Sequence, residues 1–261
     1  LGKVVSPITG AALGLVIWFA PFFAYGLLAI PIALAVWFLV KEPEQNQKQK
    51  IAKSQYFQEL KNIFKEKGMS LAACFLAGAV VLFILFGVLS YISDILEQQY
   101  QIRGMASGLL IAIPVASMAI TAYLSGLILQ KKIGNVLKYV TLGGLTILGF
   151  SMAVIAFVAN IYVLFAALII MGIGTGSVLP AINTLITSAA ETSERGIITC
   201  IYGSTRFFGV AMGPPAFGFV TEIGKLPLFL GASGLVLISI VIGFILINSK
   251  ALLPPELLQE S

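Results

Sequence analysis

Residues 139–190 form a run of fifty-two without a charge, and residues 4–40 a run of thirty-seven. A bilayer crossing takes roughly 20 apolar residues in an α-helix, so each run is long enough for two crossings in series. About a quarter of the residues of an ordinary soluble domain are charged. Here 10% are charged and 59% are hydrophobic. The chain is therefore predicted to be an all-α polytopic membrane protein. Closed β-barrels are excluded because the apolar runs are continuous instead of alternating. Disorder, a secreted disulfide scaffold and a nucleic-acid-binding domain are excluded too, the last despite a formal charge of +5. The two cysteines, Cys74 and Cys200, lie inside apolar stretches and read as small packing residues.

Irregular backbone is not tolerated against lipid, so the apolar runs are cut at Pro, Gly, Asn and charge clusters. Eight crossings result, at about 4–19, 22–40, 70–93, 104–129, 137–158, 161–187, 198–221 and 226–248. The links at Phe19-Ala20-Pro21 and Ala159-Asn160 are short, which predicts antiparallel hairpins. The chain opens on Leu1, with no basic segment or cleavage site before its first apolar stretch, and reads as a fragment that starts within a crossing.

Basic residues are retained on the cytoplasmic side, so their distribution sets the orientation. With the segment after span two inside, thirteen of the sixteen Lys and Arg fall inside, and only Arg103 and Lys225 fall outside. Arg206 lies within a span. The start of span one and the C-terminal tail are thereby expected to be cytoplasmic. The one long polar segment, 41–69, repeats apolar residues at helical spacing over Tyr56-Phe57-Gln58-Glu59-Leu60-Lys61-Asn62-Ile63-Phe64. It reads either as a basic helix lying on the membrane surface or as a solvated linker.

Spans one and seven share a feature. Each carries a Pro among small residues, in Ser6-Pro7-Ile8-Thr9-Gly10-Ala11 and in Gly209-Val210-Ala211-Met212-Gly213-Pro214-Pro215. The two sites are six crossings apart and run the same way, as in transporters built from parallel repeats with the substrate path between the halves. The run Gly2-Lys3-Val4-Val5-Ser6-Pro7-Ile8-Thr9-Gly10-Ala11 resembles the fifth-helix antiporter motif of the major facilitator superfamily, Gly-Pro-x-x-Gly-Gly. It departs at Ser6 and Ala11, both still small. Gly126-Leu127-Ile128-Leu129-Gln130-Lys131-Lys132-Ile133-Gly134-Asn135 resembles the second, degenerate copy of the basic loop of that superfamily. Glu194-Arg195-Gly196 resembles the run that precedes its eleventh helix.

The resemblance covers the whole chain as helices five to twelve of twelve and is closest to bacterial drug:proton antiporters. It implies that residues 1–40 are the last two helices of a first six-helix bundle and 41–69 the cytoplasmic loop. Residues 70–250 are then a second bundle and 251–261 a cytoplasmic tail. It implies a multi-pass protein of the plasma membrane that exports small molecules by alternating access, with the first four helices of the same polypeptide as its missing partner. It implies a gating role for Gly2, Ser6, Pro7, Gly10, Gly209, Gly213 and Pro214. An importer of the same fold, or a membrane fragment or subunit that does not transport, stands as the alternative.

No catalytic constellation is visible in the sequence, which has no histidine. Gly172-Ile173-Gly174-Thr175-Gly176 lies in an apolar span and reads as a packing run instead of a nucleotide loop. Without a phosphate-cradling loop the expected energy source is an ion gradient, and the resemblance implies that it is a proton gradient, with no cofactor. Arg206 is the foremost candidate for the substrate path, because an ionisable group about nine residues into a span is costly there and normally faces a cavity or a partner. It reads either as a charge lining the path, where it helps to hold substrate or is coupled to a carboxylate of the other half, or as a snorkelling or carbonyl-bonded arginine near the cytoplasmic third. Asn183, Tyr91, Tyr202 and Phe207 are further path candidates, with Thr184, Phe75, Phe83, Phe86 and Phe208 as weaker ones. Asp94, Glu97 and Glu222 read as hydrated helix ends.

Overall fold

A computed structural model describes residues 9–10, 13–14, 17, 19–39, 53–131, 135–189 and 195–253. Gly2, Ser6 and Pro7, the polar residues 41–52, Glu194 and the tail from 254 onward lie outside the described residues. The long helices are α1 (Ala20–Leu39), α2 (Lys53–Gln98), α3 (Met105–Lys131), α4 (Asn135–Phe157), α5 (Ile161–Ser188), α6 (Arg195–Thr221) and α7 (Lys225–Leu246), and a single turn, α8 (Ser249–Leu252), follows.

Seven long helices thus stand among the described residues where eight crossings were expected, because most of the first expected crossing lies outside them. Six of the seven are long and apolar enough to cross a membrane. The other, α6, is 27 residues long, but Arg206, Pro214, Pro215 and its glycines lower its hydropathy.

A second correction concerns the polar segment. The helical pattern at Tyr56–Phe64 is not a separate surface helix, because α2 runs unbroken for 46 residues through the boundary placed at Met69. No proline interrupts it, and the spacing of its apolar residues continues straight into the crossing. At 1.5 Å per residue such a helix extends about 70 Å, more than twice a ~30 Å hydrocarbon core. Its charged first turns therefore project beyond the hydrocarbon.

Helices α2–α7 pack as one bundle: α2 on α6, α3 on α5, and α4 against both α5 and α7, with α2 also touching α7 and α5. None of the residues of α1 is buried. Thr9 and Tyr25 share a hydrogen bond of 2.5 Å, which ties the preceding segment back onto α1 as a hairpin requires. The short link before α5 is closed by Asn160, whose side chain accepts from the Tyr162 N–H at 2.8 Å and so satisfies a helix-start donor.

Lysines close the other helix ends. At one end of the antiparallel pair α4/α7, Lys138 donates to the Phe244 carbonyl in the last turn of α7, at 2.8 Å. At the opposite end Lys225 donates to the Val158 carbonyl just past α4. Lys67 of α2 donates to the carbonyl of Ala189, the C-cap of α5, at 2.9 Å. A cation at a helix C-terminus satisfies an orphan carbonyl and complements the negative end of the dipole. Lys225→Met is therefore expected to lower stability by about 1–2 kcal/mol, since its contact is partly buried. Lys138→Met, whose contact is exposed, should cost less. Thermal unfolding in detergent would order the two variants, and equal midpoints for Lys225→Met and the parent would remove the capping role.

Candidate functional site

Helix α2 is buried on most of its surface and leaves one stripe open. Ala72, Leu76, Ala79, Phe83, Phe86, Ser90 and Asp94 follow one another at spacings of three and four, so they form a single line along the helix. That line separates the aromatic candidates of this span. Phe75 and Tyr91 point into the bundle at 7% and 6% exposure, whereas Phe83 and Phe86 lie half-buried on the open line. Tyr91 packs edge-on against Phe229 of α7, ring centroids 5.0 Å apart. Its ring also borders a cavity of about 270 Å³ at the C-terminal end of α2 and α6, lined further by Asp94, Gln98, Gln99, Gly218 and Thr221.

Helix α6 lies alongside α2 through Ile198, Tyr202, Gly209, Gly213 and Phe217, its buried residues. A Cβ at Gly209 would strike the Ala79 carbonyl, and one at Gly213 would strike the Phe83 carbonyl and come within 3.0 Å of the Gly87 nitrogen. Glycine at both positions lets the two backbones meet. Two glycines of α2 take rings of α6 in return, Gly78 against Tyr202 and Gly87 against Phe217. Pro214 is half-buried beside this seam. Gly10, by contrast, has open space where its Cβ would be.

The Gly172-Ile173-Gly174-Thr175-Gly176 run serves two neighbours at once. Gly172 and Gly176 meet α3 at Pro114, Ser117 and Met118, while Gly174 and Gly144 of α4 face each other's carbonyls. Successive glycines two apart turn to opposite sides of a helix, which lets α5 sit tightly between two partners.

Arg206 lies on the α2-facing side of α6, four residues after Tyr202 and three before Gly209, and is half-buried. It is eleven residues from the start of α6 at Arg195, so it sits about 16 Å in, near the middle of a ~30 Å core. Its guanidinium carbon is 5.1 Å from the Tyr202 ring centroid and 5.5 Å from that of Phe207. Tyr202, 2% exposed, in turn stacks on Phe75 at 5.8 Å. The Nε of Arg206 is buried without a hydrogen-bond partner. Among the described residues the one ion pair is Arg103–Glu97, 3.1 Å, between the last turn of α2 and the link to α3.

Three of the path candidates thus come together: Arg206, Tyr202 and Phe207. Two do not. Tyr91 lies toward the C-terminal end of α2, and Asn183 is exposed on α5. Reading the sequence missed Gly78 and Gly87, the two glycines of α2 that receive the rings of Tyr202 and Phe217. It also missed Ser90 as a member of the open line.

The sequence model of the Major Facilitator Superfamily matches residues 1–214 and 138–258 of this chain. The chain is 36% identical over 249 residues to a protein named bacillibactin exporter from Bacillus subtilis (strain 168), covering 95% of this chain and 61% of that protein. It is 29% identical over 228 residues to the multidrug efflux protein YfmO of the same organism, covering 85% and 53%. The chain therefore spans a little more than half the length of these relatives. Among solved structures, an inward-facing, unoccupied bacterial homologue of the human lysosomal transporter Spinster superposes with a TM-score of 0.65 at 17% identity, covering 91% of this chain and 61% of that one. A peptide transporter in complex with sulfate gives 0.54 at 16% identity, covering 67% and 37%. At these identities the two structures share the fold.

Proposed function

The chain belongs to the major facilitator superfamily, and on that premise we propose that it forms helices five to twelve of a twelve-helix, proton-coupled exporter of drugs or small amphipathic metabolites. Residues 1–40 complete a first six-helix bundle to which four further helices of the same polypeptide contribute. Residues 41–69 link the bundles, 70–250 form the second, and 251–261 are a cytoplasmic tail. Substrate crosses the plasma membrane between the bundles, which rock about a site near the midplane.

The observation that carries this reading is Arg206. A charged group at mid-membrane cannot face lipid without a large cost, so the half-buried Arg206, at the edge of the α2–α6 seam, reaches toward the path between the bundles. Tyr202 and Phe207 share that place, and Asn183 and Tyr91 lie farther along the route. The tight seam at Gly209, Gly213 and Pro214 holds α6 against α2 as one body, which rocking requires. Gly2, Ser6, Pro7 and Gly10 do the equivalent in the first bundle. Export as the direction is supported by the relatives, one named as an exporter and one as an efflux protein. The thirteen inward lysines and arginines support a cytoplasmic C-terminus.

Everted membrane vesicles carrying the twelve-helix protein test this. They should accumulate a fluorescent amphipathic dye once their lumen is acidified, and a protonophore should release it. Accumulation that ignores the gradient would remove proton coupling. Dye movement only in right-side-out vesicles would make the protein an importer.

A further inference from the structure

We infer that the path admits aromatic anions and that Arg206 is the group that holds them, a specificity that presupposes the transport reading above. The ligand class is a planar ring bearing a carboxylate or a comparable oxyanion.

The argument begins with charge. Every other charged side chain of α2–α7 belongs to the aqueous end of a crossing or to the projecting first turns of α2. Arg206 alone sits at mid-depth, and among the described residues no carboxylate pairs with it. Residues 1–40 contain no Asp or Glu at all. A cation removed from water needs a counter-charge, and a negatively charged ligand supplies one.

The geometry then narrows the anion. Tyr202 and Phe207 lie within cation–π distance of the guanidinium and draw on its charge through their ring faces. The buried Nε of that guanidinium has no hydrogen-bond partner. An arginine held by rings, with donors to spare, is set up for two parallel bonds to the oxygens of a carboxylate, which the fork of a guanidinium matches and an ammonium does not. The surroundings supply the aromatic half of the ligand. Phe75 and Tyr202 form a stack, Phe207 is 62% exposed, and Phe83 and Phe86 line the open side of α2 two and three turns farther along. A ring attached to the anion meets further rings on either side.

The test is equilibrium binding to the full-length protein in nanodiscs near neutral pH. Three probes share one ring system and differ in charge: 2-naphthoate, 2-naphthamide and 2-naphthylmethylammonium. Naphthoate is expected to bind about tenfold more tightly than the amide, the worth of a charge-assisted bond, with the ammonium weakest. Arg206→Gln should bring naphthoate to within about twofold of the amide and leave the amide itself unchanged, while Arg206→Lys keeps part of the preference. Equal affinity for the three probes, a preference for the ammonium, or unaltered naphthoate binding in Arg206→Gln overturns the inference. The three-probe comparison on the parent protein needs no variant, so a folding defect in Arg206→Gln does not shelter it. Vesicle transport separates the two claims. A protein that pumps the ammonium and ignores naphthoate keeps its transport role and loses the anion site. One that binds naphthoate through Arg206 and pumps none of the three keeps the site and loses the transport role.

Discussion

Gly213→Val should strip most of the folded protein from the membrane, whereas Gly218→Val, five residues along the same helix, should be nearly neutral. The two glycines share a helix and a neighbourhood and differ in what faces them. A Cβ at Gly213 meets the backbone carbonyl of Phe83, and behind it the Gly87 nitrogen. Backbone cannot rotate out of the way as a side chain can, so α2 and α6 must separate, and the Phe217 contact at Gly87 is lost with them. At Gly218 a Cβ meets nothing within 4 Å. Overpacking of this kind costs about 3 kcal/mol, a large share of the 5–15 kcal/mol that ordinarily separates folded from unfolded. On the scale of soluble domains that is a fall of roughly 6–12 °C in midpoint. Thermal unfolding of the detergent-purified full-length protein reads it, and matched midpoints for the two variants would show that the seam yields.

Arg206→Gln should lower transport by an order of magnitude or more while the amount of protein in the membrane stays near normal, with Arg206→Lys in between. A charge on the path acts on occupancy, so removing it changes the rate. An arginine that mainly supported packing would change the yield instead. The contacts favour the first outcome: the seam of α2 and α6 is built by Tyr202, Gly209, Gly213 and Phe217, none of which needs the guanidinium to hold its place. Lysine keeps the cation and loses the planar fork, and glutamine keeps hydrogen bonding and loses the charge, so the order Arg, Lys, Gln isolates charge as the cause. Normal transport by Arg206→Gln, or loss of both variants from the membrane fraction, would reverse the assignment.

The sequence by itself determined where the helices are. Six expected crossings, from 22–40 through 161–187 and at 226–248, coincide with described helices at most boundaries, α6 coincides with a seventh at 198–221, and 4–19 lies mostly outside the described residues. The physical reason is that lipid offers the backbone no hydrogen bonds, so any apolar run of sufficient length must be helical, and length and charge are read directly from the chain. The exception was the start of α2, where helical spacing was visible at Tyr56–Phe64 and the absence of a break before Met69 was not weighed.

What the sequence could not determine was direction around each helix. Lipid tails are as apolar as Leu, so a lipid-facing phenylalanine and a buried one look alike, and periodicity that marks the inner face of a soluble helix is faint here. Phe75 and Phe83 are both span-three aromatics, yet one stacks in the bundle on Tyr202 and the other lies on the open stripe. Gly172 and Gly174 are two residues apart, yet they serve α3 and α4 respectively. Arg206 was legible as an anomaly from its depth alone. That its face rests on Tyr202 and Phe207 and its Nε is left unpaired was decided only when α6 packed on α2, because those contacts depend on the rotation of the helix and on two glycines that let the backbones touch.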